Sequence, residues 1–474
     1  MKKQILNPFL PAWEYIADAE AHVFGGRVYV YGSHDMFGGE KSCMNNFVCW
    51  SAPANDLKSW RFEGEIYART DDPANEDGAR TLCAPDVCRG ADGRYYMYYS
   101  LEGAGIISVA VCDKPAGRYA FYGYVHCADG HILSSREGEP YAFDPAVLRD
   151  EGNTYLYFGY CPYPPKQITK VKKSYDYARV CRLADDMLTV SGEIKKAAPS
   201  FATSGGTGFE GHEFLAAASV RRIGDRYCLT YASRHGHELC YALADDPEGP
   251  FEFCGTIISN GDIGMDGITD EQDCNNYIGP NHGCLERIGN EWYVFYNRHT
   301  NRTGCARQTC AERVAPRPDG RIAQTEMTSC GLNGGPLAGK GLYPATMACV
   351  LKSRSGTMRG EVPLRGIHPY ITQICADGNE ESFAHIENFR RGAVCGFKYF
   401  APAGATRIEA VVRGNGRGRL VASDGFATLA TLKVEPSDTW TTLSAPFTTP
   451  GERFALFFLY TGDGATDILS FELK

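Results

Sequence analysis

Five stretches of the chain share one pattern: a turn glycine followed by a strand in which apolar and aromatic residues alternate or crowd together. They are FGGRVYVYGS, ADGRYYMYYS, DEGNTYLYFG, RIGDRYCLTYAS and RIGNEWYVFYNR. Their glycines, Gly26, Gly93, Gly152, Gly224 and Gly289, recur at intervals of 59 to 72 residues. Glycine accepts positive φ in a hairpin turn without steric cost, and the alternation after it marks a strand. An interval of this length holds one four-stranded sheet with its loops, so the repeats predict a five-bladed β-propeller over residues 1–315. The competing all-β arrangement, a β-sandwich, does not usually repeat one hairpin at such spacing.

Beyond the repeats the pattern changes. Residues 316–378 carry Pro and Gly clusters (APRPDG, GLNGGPLAGKG) and read as a connector packing on the propeller. From 379 to 474 short alternating strands return, among them CGFKYF, TRIEAVVRG, TLATLKV and RFALFFLYTG. They predict a β-sandwich of the jelly-roll kind. The fold class is all-β.

Composition agrees with many short strands: 28 Tyr and 24 Phe stand beside 53 Gly and 25 Pro. The net charge is −9 with no dense Lys/Arg run, which argues against a nucleic-acid partner. No apolar run reaches the length of a membrane span. The 19 cysteines include no CxxC pair and read as reduced, mostly buried thiols. Asn7, Pro8, Pro11 and Glu14 interrupt any signal-like apolar core near the N-terminus, so the expected location is cytoplasmic and the expected substrates are small and imported. Homo-oligomers are compatible with such a chain.

Candidate chemistry emerges on counting back from each glycine into the preceding strand. Asp18 stands 8 residues before Gly26, Asp86 7 before Gly93, Asp144 8 before Gly152, and His282 7 before Gly289. The first strand of each propeller blade lines the axis, so these groups are expected to converge in one funnel. In the fourth repeat the residue 8 before Gly224 is Ala216, where a functional group is expected and none stands.

Over residues 7 to 315 the chain resembles glycoside hydrolase family 43, a five-bladed propeller family. The likeness rests on YIADAEAHVFGGRVYVYGSHD, APDV, FDPAVLRDEGNTYLYFG, ASVRRIGDRYCLTYAS, HELCYA, NHG and WYVFYNRHTN. The resemblance implies an inverting hydrolase acting on oligosaccharides, with Asp18 as general base and Asp144 as the carboxylate that orients and tunes the acid. His282 is implied to neighbour a central calcium or sodium ion at the propeller axis, with structural calcium the expected one. Asp86 and Arg298 are implied to bind sugar, and His237 reads as a structural, hydrogen-bonding histidine. The family's general acid is a Glu that aligns with Ala216 in FLAAASVRR. Glu213 lies three residues back on an extended segment and is expected to point away, so it does not replace that acid. Ala216 therefore marks either a knock-out variant or a degenerate site. The implied activity is release of terminal α-L-arabinofuranosyl or β-xylosyl units; the alternatives are a β-D-galactofuranosidase and an inactive glycan-binding protein. The C-terminal strands resemble carbohydrate-binding module family 6, which implies either glycan binding or bracing of the propeller.

Overall fold

The computed structural model describes residues 4–166, 168–358 and 367–474. Among these, every regular element is a strand apart from four single-turn 3-10 helices, in line with the all-β expectation. Each of the five glycines sits in a turn with φ between 61° and 86° and joins the first two strands of an antiparallel sheet. The first sheet comprises Ile16–Phe24, Arg27–His34, Phe47–Pro53 and Arg61–Tyr67. The second comprises Leu82–Arg89, Tyr95–Leu101, Ile107–Cys112 and Ala120–Tyr124, and the third Ala146–Asp150, Asn153–Phe158, Tyr177–Leu183 and Val190–Pro199. The fourth comprises Phe214–Ile223, Arg226–Ser233, Glu238–Ala244 and Glu252–Ser259. The fifth has three strands, Leu285–Ile288, Glu291–His299 and Arg307–Val314.

The sheets face one another through apolar layers. Tyr31, Phe47, Val87 and Met97 pack in one cluster between the first and second, and Tyr157, Phe214, Val220 and Leu229 in another between the third and fourth. Strands covered on both faces read as near-continuous apolar runs, which explains why Tyr95–Leu101 is buried almost throughout. The first strands of successive sheets neighbour one another in chain order, and the fifth returns to the first, where Ala19 and Gly283 form a parallel bridge. Closure needs a glycine there, because a Cβ on residue 283 would stand 1.9 Å from the Phe295 carbonyl oxygen. Asn7 adds to it: its side-chain amide donates to the Ala311 carbonyl (2.9 Å) and accepts from the Ala311 N–H (3.0 Å), as a further strand would.

The C-terminal region forms two six-stranded sheets around one core. Phe397, Leu420 and Phe458 come from one, and Ile386, Ile408 and Phe471 from the other. The segment 316–378 is more than a connector. Leu337–Ala338, Gly341–Pro344, Val350–Lys352 and Tyr370–Thr372 all hydrogen-bond into the C-terminal sheets, so that unit begins near residue 337 and not at 379. These strands are two to four residues long, too short for alternation to register. Residues 359–366 of this segment lie outside the described residues. The segment also touches the loop between Arg27–His34 and Phe47–Pro53: the Asp377 carboxylate accepts from the Phe37 N–H (2.7 Å) and from Asn45 Nδ2 (2.9 Å).

Candidate active site

Where the chain enters the axial strand of each of the first four sheets, the backbone breaks from regular extension. Asp18, Ala84, Asp144 and Ala217 have φ of 53°, 46°, 47° and 63°. Register shifts accompany them between Ala17 and Glu20, Cys83 and Asp86, and Ala216 and Ser219. Such bulges re-aim side chains and concentrate at functional sites. Asp18 and Asp144 thus hold one structural position, which Ala84 and Ala217 hold in the second and fourth sheets. Asp86 lies two residues beyond that position and Ala216 one before it, so counting from the turn glycine misplaces both.

Asp18, Asp144, His282, Arg307 and Ala216 line one cavity of about 290 Å³, together with Phe143, Tyr160, Leu215, Ala217 and Ala232. Asp18 Oδ1 accepts from Arg307 Nη1 (2.6 Å) and Asn297 Nδ2 (2.9 Å). Asp35 fixes Arg307 from behind, accepting from Nε and Nη2 at 2.9 Å each. Burial pushes the Asp18 carboxyl up, but Arg307, His282 and hydrogen bonds from Ser33 and Asn297 outweigh it and hold Asp18 at about 2. Asp144 goes the other way. Burial, then the charge on Asp18, raise it to about 8 against a 3.0 Å hydrogen bond from the Ala217 N–H to Oδ2. His282 Nδ1 stands 3.9 Å from both Asp18 Oδ1 and Asp144 Oδ2, so those oxygens are at most 7.8 Å apart, twice that distance. Burial lowers the His282 pKa and keeps the ring neutral near pH 7. The cavity therefore holds one ionised and one protonated carboxyl at neutral pH.

Ala216 is in the cavity wall and pairs with Ala232 across the hairpin. With Ala217, Tyr160 and Leu215 these residues make an apolar patch, and the only carboxylates lining the cavity among the described residues are Asp18 and Asp144. Glu213 points elsewhere, as expected: its carboxylate accepts from the Gly211 N–H (3.1 Å) and Ser204 Oγ (3.3 Å) and pairs with Arg234 at 3.7 Å.

Two expected sugar contacts do not reach the cavity. Asp86 turns down the axis, where Oδ1 pairs with His22 Nε2 at 2.6 Å and Oδ2 accepts from the Val147 N–H at 2.7 Å. Arg298 is buried on the far face of its strand, donating to the Thr346 carbonyl and to Gln308 Oε1. Strand parity explains this: Asn297, which bonds Asp18, and Arg298 must face opposite ways. The arginine that does serve the cavity is Arg307, opposite His299 in the adjoining strand. Sequence reasoning missed Arg307, Asp35 and Asn297; the usable signal was the phase of Asn297 carried across the hairpin.

A chain with this cavity can be compared with known proteins. The model of glycosyl hydrolases family 43 matches residues 5–322. The chain belongs to glycoside hydrolase family 43. A xylosidase/arabinosidase of Thermoclostridium stercorarium is 47% identical over 478 residues, covering 100% of this chain and 99% of that protein. Among solved structures, an arabinoxylan arabinofuranohydrolase from Bacillus subtilis in complex with cellotetraose superposes with a TM-score of 0.52 at 20% identity, covering 99% of this chain and 97% of that one. A β-xylosidase/α-arabinofuranosidase from a compost metagenome, in complex with xylotriose and calcium-free, gives a TM-score of 0.50 at 25% identity, covering 66% and 94%.

This family 43 chain has a second group of donors, interacting electrostatically with His282, that suits a hard cation. Glu20, His22 and Asp86 bring ligand atoms within 4.8 Å of one another, and Glu20 Oε1 is buried without a hydrogen-bond partner. Arg221 supplies one positive charge there, 2.8 Å from Glu20 Oε2 and 2.9 Å from Glu286 Oε2, against the carboxylates of Glu20, Asp86 and Glu286. Oxygen donors with a minority imidazole fit calcium. The trio closest to a ligand set is Glu20, His22 and Asp86, and His282 is not part of it.

Proposed function

We propose that this chain is an inverting, exo-acting glycoside hydrolase for terminal α-L-arabinofuranosyl or β-xylosyl units, with its general-acid position held by Ala216. The observation that carries this reading is the split between Asp18, held ionised, and Asp144, held protonated, in one cavity with an apolar third wall. The member of the pair held ionised, Asp18, is assigned the base; the acid is assigned to position 216 by the segment FLAAASVRR, on a wall that holds no carboxyl. Asp18 takes the proton from a water attacking the anomeric carbon, while Arg307 and Asn297 hold its carboxylate in place. Inverting hydrolysis needs a second carboxylic acid to protonate the leaving oxygen. A Glu at 216 would supply it; Ala216 does not, so natural glycosides turn over slowly. A cavity of about 290 Å³ suits one terminal pentose. The names of the relatives, xylosidase/arabinosidase and arabinoxylan arabinofuranohydrolase, support the sugar class.

One observation favours a second reading of the chemistry. With its pKa raised to about 8, Asp144 carries a proton at neutral pH and can serve as a residual donor. The β-D-galactofuranosidase and the inactive glycan binder remain the alternatives for substrate and activity. In this proposal the five sheets are the blades of a propeller, the C-terminal sheets are a jelly-roll module like carbohydrate-binding module family 6, and the contacts of Asp377 favour bracing as its role. Glu20, His22 and Asp86 would hold calcium, which would be structural and leave the chemistry to the carboxyls. The location is cytoplasmic.

The test is a screen of para-nitrophenyl furanosides and pyranosides on the chain and on Ala216→Glu. Turnover of arabinofuranoside or xyloside by Ala216→Glu supports the proposal. Turnover of galactofuranoside alone moves the substrate, and none with any sugar moves the chain to the binding class.

A further inference from the structure

Three other groups of metal-capable side chains lie in the described residues besides the turn that follows Ser233, and each is already committed. Glu20, His22 and Asp86 are the candidate calcium ligands. His131, beside Cys127, has both ring nitrogens engaged, by Asp129 and by Glu139. Glu238, beside His212 and Cys240, already accepts from Ser233 Oγ and Thr256 Oγ1 and pairs with His212.

The turn between Arg226–Ser233 and Glu238–Ala244 carries two members of the fourth group. It reads Arg-His-Gly-His, and Gly236 at φ 77° lets residues 235 and 237 turn toward the same side. His235, His237 and Glu271 bring their ligand atoms within 4.8 Å of one another. His237 is buried, its Nδ1 sits 3.0 Å from Ser259 Oγ, and Nε2 is left for the cluster. Fixing one imidazole nitrogen on a second group is how proteins orient a metal-binding ring. The turn is pinned: the Gly236 carbonyl accepts from the Asn281 N–H (2.7 Å), and the His237 carbonyl from the Asn260 N–H (2.9 Å) and Asn281 Nδ2 (3.1 Å). Phe214 pairs with Ser233, which places the turn at the Ala216 end of the sheet, and Gly236 itself lines the catalytic cavity.

We propose that His235, His237 and Glu271 form a binding site at the cavity mouth for a divalent ion of the late first transition row, such as Ni²⁺ or Zn²⁺. Two imidazoles and a carboxylate select these ions over Mg²⁺ and Ca²⁺, which prefer oxygen. The site is separate from the candidate calcium ligands and does not depend on the proposed hydrolysis.

Ni²⁺ is the probe, because the 19 free cysteines would compete for softer ions. Calorimetric titration of the full chain should show a site that His235→Ala removes or weakens at least about tenfold. Ni²⁺ should raise the Tm of the parent chain and not of His235→Ala. Glu271→Gln keeps the shape of its side chain and should weaken the same site, so the result does not rest on the buried His237. Unchanged stoichiometry and affinity in both His235→Ala and Glu271→Gln would overturn the proposal. Equal His235-dependent binding of Ca²⁺ would overturn the ion class.

Discussion

One wall of the cavity is a web of charge and the other is apolar. On the first, Asp18, Arg307, Asp35 and Asn297 satisfy one another through bonds of 2.6 to 2.9 Å. On the second, Leu215, Ala216, Ala217, Ala232 and Tyr160 offer no side-chain charge at all. The contrast shows why a lost acid is structurally silent while a lost base partner is not. Removing Arg307 leaves two buried carboxylates, Asp18 and Asp35, without their cation. Alanine at 216 leaves no buried group short of a partner, so the fold tolerates it. The apolar wall is also the environment that keeps a carboxyl protonated, because burial disfavours the charged form. A Glu placed at 216 is therefore poised as an acid before any substrate arrives.

The sharpest way to break the charged wall is at the base. In an Ala216→Glu background, Asp18→Asn should cut hydrolysis of every substrate by at least about 10²–10⁴-fold, since water activation is needed whatever the leaving group. Turnover rates on natural and activated glycosides check this, and near-parental rates would remove Asp18 from the role. Next comes Arg307→Met, which strands Asp18 and Asp35 in the interior and should destabilise the fold by about 3–5 kcal/mol, read from denaturant unfolding.

Asp144 sharpens the comparison through pH. Its folded-state pKa is about 8, above the ordinary carboxylate value, so the folded chain binds a proton that the unfolded chain releases. Stability from this group is full at low pH and is lost as pH rises toward 8. Asp144→Asn should thus gain stability relative to the parent as pH climbs from about 4 to 8, measured as Tm against pH. Asp18 has the opposite sign, its contribution being lost as pH falls toward 2. The smallest effect is expected far from the chemistry. Asp377→Ala removes two hydrogen bonds that tie the C-terminal region to the loop of Phe37 and Asn45, and should cost about 1–3 kcal/mol with the sugar specificity unchanged.

Much of this was legible in the chain. The five glycine turns marked the five hairpins, and Asp18 and Asp144 stood out by their distance from them. The misplacements have local causes. The bulges are alike, but the strand from bulge to turn glycine differs in length (Glu20 to Gly26, Asp86 to Gly93, Ser219 to Gly224), which puts Asp86 and Ala216 out of phase with Asp18. Strand parity turned Arg298 away. Arg307 reaches Asp18 across 289 residues, a contact that no local period encodes. The strands at 337–352 and 370–372 were hidden by their brevity, since two to four residues cannot display alternation.

The central claim is that Ala216 stands where the acid belongs. The most direct test compares a natural-linkage disaccharide with a fluoride or dinitrophenyl glycoside on the chain as it is and on Ala216→Glu. An alkoxide needs a proton to leave, whereas fluoride and dinitrophenolate do not. The account predicts that Ala216→Glu raises natural-linkage turnover by about 10²–10⁴-fold and changes the activated substrate little. No gain on the natural linkage, or an equal gain on both substrates, would contradict it.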